Sequence, residues 1–184
     1  MDQKIVTTLV EKLLGQLETN SQRDGLQQTP SRVAKLYQEI LSGYEIDVPA
    51  LFTSTFAADN QNMIIVKDIP FYSLCEHHLV PFFGTATIGY IPKDRVLGLS
   101  KFARLVSVFA RRLTIQERLT EQIAGSIDKH LNTDGVMVVI KAEHLCMSMR
   151  GVQKPGIQTI TSCVKGVFAQ HLKTRMEFLE LIKE

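Results

Sequence analysis

The order in which strand-like and helix-like stretches follow one another constrains this chain most. "NMIIVKDIPF" (62–71) and "FFGTATIGYIP" (82–92) are rich in β-branched and aromatic residues with Gly or Pro at their edges, which marks strands. "IPKD" (91–94) is a turn. Two helices follow. Phe102, Leu105, Val106, Phe109 and Leu113 form one apolar stripe, and Leu119, Ile123 and Ile127 lie in line over a segment from about Ile115 to Leu131. "NTDG" breaks the chain, "GVMVVIKAEHLCMSM" (135–149) and "GIQTITSCVKGVF" (156–168) read as strands, and "KTRMEFLELI" (173–182) closes as a helix. Strand, strand, helix, helix, strand, strand, helix is an α+β order with mostly antiparallel pairing, not an alternating βαβ repeat.

Ahead of this block lies a helical arm. Val6, Leu9, Val10, Leu13 and Leu17 recur at helical spacing, and in "TPSRVAKLYQEILSGYE" Thr29 is placed to cap a helix that Pro30 opens and Gly43 ends. The expected partition is an arm over 1–45, a poorly periodic connector over 46–62 and a folded domain over 63–184. At 45% hydrophobic and 22% charged residues the composition is that of a globular protein, and a net charge of +2 points to neither nucleic acid nor membrane. The N-terminus carries charges within its apolar stretch and reads as an amphipathic helix rather than a secretion signal. Three cysteines without a signal peptide imply a reducing cytoplasm.

The chemistry concentrates in "SLCEHHLVPF" (73–82) and "EHLCMSM" (143–149). Cys75 and His78 have a C-x-x-H spacing that suits two ligands on one metal if the chain bends, since a straight strand would send them to opposite faces. His144 and Cys146, two apart in an expected strand, would share a face. Thiolate and imidazole ligands from Cys75, His78 and Cys146 favour zinc. If His77 or His144 closes the shell, the site is structural. If water does, it is catalytic and the spare histidines move protons. With only one knuckle and a surplus histidine beside each half, the pattern leans toward catalysis. Cys163 is expected as a small core residue.

A second informative stretch is "GLSKFARLVSVFARRLTIQERLT". Ser100 is expected to cap a helix whose first turns carry Lys101 and Arg104, an arrangement able to hold phosphate or simply to face solvent. "TIQE" fits a capping box, with Thr114 as the cap and Glu117 reaching back. Alternatively, the Glu117 carboxylate accepts from a base edge with two adjacent donors, such as N1 and the amino group of guanine. Arg150 and Lys154 follow Cys146 in a Gly- and Pro-containing loop.

With these residues assembled, the sequence resembles the GTP cyclohydrolase I family, through "LCEHHLVPFFG", "YIPKDRVLGLSKFARLV", "QERLTEQIA", "EHLCMSMRGV" and "KPGIQTITS" in that order. The resemblance implies the tunnelling fold, an antiparallel sheet with a helix pair on one face. It implies a toroidal homodecamer, a pair of pentamers, with active sites at subunit interfaces. The implied reaction is zinc-dependent hydrolysis of GTP to 7,8-dihydroneopterin triphosphate and formate, opening folate or pterin synthesis, with zinc-activated water attacking guanine C8. By the same resemblance Cys75, His78 and Cys146 are zinc ligands with a bound water completing the shell. His77 and His144 move protons, with Ser100 assisting. Glu117 anchors guanine with Gln116 beside it, and Lys101, Arg104 and Arg150 surround the ribose and triphosphate. The sequence departs from the family pattern at Thr114, where glutamine is frequent, at Ile157, where serine is frequent, and at Cys163, where a small residue is frequent. A relative of the same fold with structural zinc or other pterin or purine chemistry is the competing expectation.

Overall fold

A computed structural model describes residues 1–183. Two compact units emerge, 1–42 and 43–184. The first is a pair of helices, α1 (Gln3–Leu17) and α2 (Thr29–Ile40). Asp2 caps α1, its side chain accepting from the backbone N–H groups of Lys4 and Ile5. Thr29 was expected to cap α2. It lies inside the helix instead: Gln28 takes the cap position without a side-chain bond, and the helix ends at Ile40, before Gly43.

The second unit holds β1 (Thr55–Ala57), β2 (Ile64–Cys75), β3 (Pro81–Pro92), β4 (Arg95–Leu97), α3 (Leu99–Ala110), β5 (Leu113–Thr114), α4 (Gln116–His130), β6 (Thr133–His144), α5 (Leu145–Ser148), β7 (Gln158–Gly166), α6 (Val167–Gln170) and α7 (Leu172–Leu181). The main sheet runs β5-β2-β3-β6-β7, antiparallel throughout except for the short β2–β5 pair. A separate ribbon pairs β1 with β4. The α+β order read from the sequence is therefore the observed one. The segment before β2 also contributes a tight helical turn at Pro49–Thr53 that buries Phe52.

Alternation along each strand decides which element covers which face. Ile69, Phe71, Phe82, Ala86, Ile88, Tyr90, Val136, Val138 and Ile140 pack with Phe102, Leu105 and Phe109 of α3 and Leu119, Ile123 and Ile127 of α4. On β6 the intervening residues Met137 and Val139 turn the other way and meet Phe168 and Phe178 of α6 and α7. So β6 is buried on both faces, which explains its near-continuous apolar run. Gly89 matters here because a Cβ would sit 2.5 Å from the Phe178 ring. Its absence lets α7 lie close on the sheet.

Three local expectations are corrected. Leu113 does not continue the α3 stripe but lies in β5, because α3 stops at Ala110. Ser100 is not the helix cap: Gly98 is, with the Lys101 N–H donating to the Gly98 carbonyl at 2.8 Å, so Ser100 sits in the first turn. His144 and Cys146 do not share a strand face. β6 ends at His144, and residues 145–148 form one helical turn closed by the Met149 N–H on the Leu145 carbonyl at 3.0 Å. Leu-Cys-Met-Ser-Met lacks the β-branched residues of the preceding run, and leucine and methionine favour helix.

Candidate metal centre and the pocket around it

The bend required between Cys75 and His78 is present. β2 stops at Cys75, and the chain turns so that the N–H of Leu79 donates to the Cys75 carbonyl at 2.9 Å while the Cys75 N–H donates to the Val80 carbonyl at 3.0 Å. Leu79 closes the turn at φ +54°, a left-handed conformation that costs a residue with a Cβ about 1–2 kcal/mol. Strain of this kind persists where the surroundings over-determine the backbone. Here they do. The Glu76 N–H donates to the Thr114 carbonyl at 3.1 Å, and the Arg118 guanidinium grips the Glu76 carboxylate with both prongs, Nη2 to Oε1 at 3.2 Å and Nη1 to Oε2. That pair holds the Glu76 carboxyl below the usual carboxylate range, chiefly through the Arg118 hydrogen bonds. The turn is thus tied to β5 and to the start of α4. Neither Arg118 nor Glu76 was singled out from the sequence, where they lie 42 residues apart.

The helical turn of α5 then supplies Cys146. Donor atoms of Cys75, His78 and Cys146 all lie within 4.8 Å of one another. Tetrahedral zinc, with bonds of about 2.0–2.3 Å, sets its ligands roughly 3.3–3.8 Å apart, so the three groups close on such an ion by movements of about 1 Å. The donor set, two thiols and one imidazole, is of the kind zinc takes. Burial, then the neighbouring Cys75, pushes the Cys146 thiol up, and a divalent cation between the two sulfurs would reverse that preference. Arg150 reaches the same spot, its Nη1 2.9 Å from His78 Nε2.

Cys75, His77, His144 and Cys146 line one pocket together with Phe82 and residues 114–117. His77 lies beside the sulfur of Cys75, its Nδ1 3.8 Å away. His144 is stacked on Phe82, centroids 4.8 Å apart and planes within 1°, as their direct pairing across β3 and β6 dictates. Its Nε2 is 2.8 Å from Gln116 Oε1. Burial lowers the His144 pKa, with the Glu117 charge acting the other way.

Glu117 lies on the pocket rim in the first turn of α4, and the capping box expected of it does not form. Ile115 is the cap residue, without a side-chain bond, and the Thr114 hydroxyl donates to the Ile115 carbonyl at 3.2 Å. Gln116 lines the pocket but is only 1% exposed, with its amide nitrogen directed into the protein. Ser100, Lys101 and Arg104 lie at the start of α3 and are not among the residues lining this pocket. Cys163 is half-buried against the core, and its thiol donates to Glu121 at 2.9 Å.

The family model described as GTP cyclohydrolase I matches residues 6–183. GTP cyclohydrolase 1 of Pelotomaculum thermopropionicum is 50% identical over 183 residues, covering 99% of this chain and 97% of the relative. The protein of the same name from Streptococcus thermophilus is 48% identical over 184 residues, covering 100% of this chain and 98% of the relative. A third, from Geobacillus kaustophilus, is 50% identical over 175 residues, with 95% and 93% covered. The antiparallel sheet, the helix pair packed on one of its faces and the match along nearly the whole chain place this protein in the GTP cyclohydrolase I family, with the tunnelling fold.

Proposed function

We propose that this chain is a zinc-dependent cyclohydrolase that converts GTP to 7,8-dihydroneopterin triphosphate and formate, the opening step of folate or pterin synthesis. The observation that carries this is the convergence of Cys75, His78 and Cys146 at the edge of a pocket that also presents His77, His144 and Glu117. Two waters enter the reaction and one leaves: the two that enter open the imidazole ring of guanine and release C8 as formate, and closure of the pterin ring expels one. Cys75, His78 and Cys146 would hold the zinc, which when bound would make hydroxide available near neutral pH.

The protein's own groups do the rest. Glu117 accepts from N1–H and the 2-amino group of guanine, two donors on one carboxylate, and so orients the base. His144 delivers the proton to N7 that makes C8 attackable. His77, with Ser100, serves the acid and base steps that open and rearrange the ribose. Lys101, Arg104 and Arg150 hold the triphosphate, which breaks no bond and whose contacts keep the purine in register.

Ser100, Lys101 and Arg104 reach such a substrate most simply from α3 of a second copy, which is why we assign the working form as an oligomer with shared sites; its size, a decamer of two pentamers, is what the family resemblance implies. Residues 63–184 form the catalytic domain, with 1–45 as a helical arm and 46–62 as a connector, and the enzyme works in the cytoplasm. Among the described residues no helix is long and apolar enough to cross a membrane. Incubating the zinc-loaded protein with GTP tests the proposal: formate and a fluorescent pterin are expected in equal amounts. Metal bound at one per chain with GTP left intact would reduce the site to a structural one.

A further inference from the structure

Gln116 is buried, yet every polar atom of its side chain is engaged. Its Nε2 lies 3.1 Å from the Ile140 carbonyl, 3.0 Å from the Thr159 carbonyl and 3.1 Å from Thr161 Oγ1. The first two are pure acceptors, so the NH2 group must face them. Flipping the amide would set an oxygen against two carbonyl oxygens. The hydroxyls enforce the same direction. Thr120 donates its one proton to the Gln116 backbone carbonyl at 2.7 Å. Thr161, 2.7 Å from Thr120, must therefore donate to it, which leaves a Thr161 lone pair for Gln116. The orientation of Gln116 is thus fixed without any reference to His144.

The consequence falls on His144. The Gln116 oxygen, an acceptor only, is the atom 2.8 Å from His144 Nε2, so Nε2 carries a proton. A neutral imidazole has only one, so Nδ1 is left bare as a base, and His144 gives a proton from Nδ1 only as the imidazolium, after first taking one up there. Stacking on Phe82 fixes the ring plane. We propose that Gln116 is a positioning residue that locks His144 in the Nε2–H tautomer, so that every proton His144 exchanges during turnover enters or leaves at Nδ1. Its place beside Glu117 in sequence does not make Gln116 a guanine ligand: its amide is spent on β6, β7 and His144. This inference rests on the proton-transfer role proposed above for His144, but its first test does not.

That test is neutron diffraction from crystals of the perdeuterated, zinc-loaded protein. Deuterium on His144 Nε2, pointing at Gln116, is expected, and a bare Nε2 overturns the proposal whatever the protein does with GTP. The second test uses Gln116→Met, which keeps the side-chain length and removes both polar atoms. A positioning role predicts kcat lowered about 10- to 100-fold, the range lost when an orienting partner of a functional histidine is removed, with KM for GTP changed less than about threefold. A raised KM with unchanged kcat would instead make Gln116 a substrate ligand and overturn the assignment. Should the unaltered protein leave GTP intact, the function proposed above fails, and diffraction still decides the tautomer.

Discussion

Glu117→Ala separates the two roles a carboxylate in the first turn of α4 can have. The structure assigns little stability to it. The helix starts without a side-chain cap and the Thr114 hydroxyl is turned to the Ile115 carbonyl, so no capping box is lost. What remains is the favourable placement of an anion at a helix N-terminus, about 0.3–1 kcal/mol. For a chain of this size that corresponds to a fall in Tm of at most about 4 °C. Recognition stands to lose more. Two hydrogen bonds from guanine to a charged acceptor contribute about 3 kcal/mol together, on the order of a hundredfold in Kd. Calorimetric titration of metal-stripped protein with GTP and with inosine triphosphate reads this directly, since inosine lacks the 2-amino donor. The unaltered protein should prefer GTP, and Glu117→Ala should bind both weakly and alike. A variant that melts more than about 8 °C lower, twice the largest fall expected, or that still separates the two nucleotides as before, would refute the reasoning.

Other perturbations test other links. Gly89→Ala drives a methyl to 2.5 Å from the Phe178 ring, and overpacking of that kind costs about 1–3 kcal/mol in urea unfolding. Adding Phe178→Leu should recover part of the loss. Burial and the hydrogen bond to Glu121 push the Cys163 thiol to about 12. A rise of 3 units from 9.0 removes about a thousandfold of its thiolate, partly offset by greater nucleophilicity, so alkylation at pH 8 should run roughly thirtyfold slower than for an ordinary thiol. Peptide mapping after timed alkylation checks this. Cys146→Ala should lose zinc in equilibrium dialysis, whereas Cys163→Ala should retain it.

Much of the fold was legible because its signals are local. The β-branched runs of β2, β3 and β6 and the apolar stripes of α3 and α4 mark both the elements and the faces they bury. The C-x-x-H bend followed from what a straight strand forbids, and the turn closed by Leu79 provides it. The misreadings share a cause: a boundary set by hydrogen bonds rather than by periodicity. His144 and Cys146 continue an apolar strand in pattern, yet the backbone coils after His144, and the coil rather than the strand brings Cys146 to Cys75 and His78. Serine at 100 and threonine at 114 have the right chemistry for caps, but the helices begin one or two residues away from where those side chains would serve. The surroundings of Gln116 were out of reach for another reason. Its partners Ile140, Thr159 and Thr161 lie 24 to 45 residues downstream on two strands, and nothing in "QERLT" announces them.

The central claim is that Cys75, His78 and Cys146, and no fourth side chain, hold the ion. X-ray absorption at the zinc edge of the loaded protein tests it most directly. The account predicts two sulfurs near about 2.3 Å and a single imidazole near about 2.0 Å, with one further light atom that survives substitution of His77 or of His144. A second imidazole in the spectrum that disappears on either of those substitutions would contradict it.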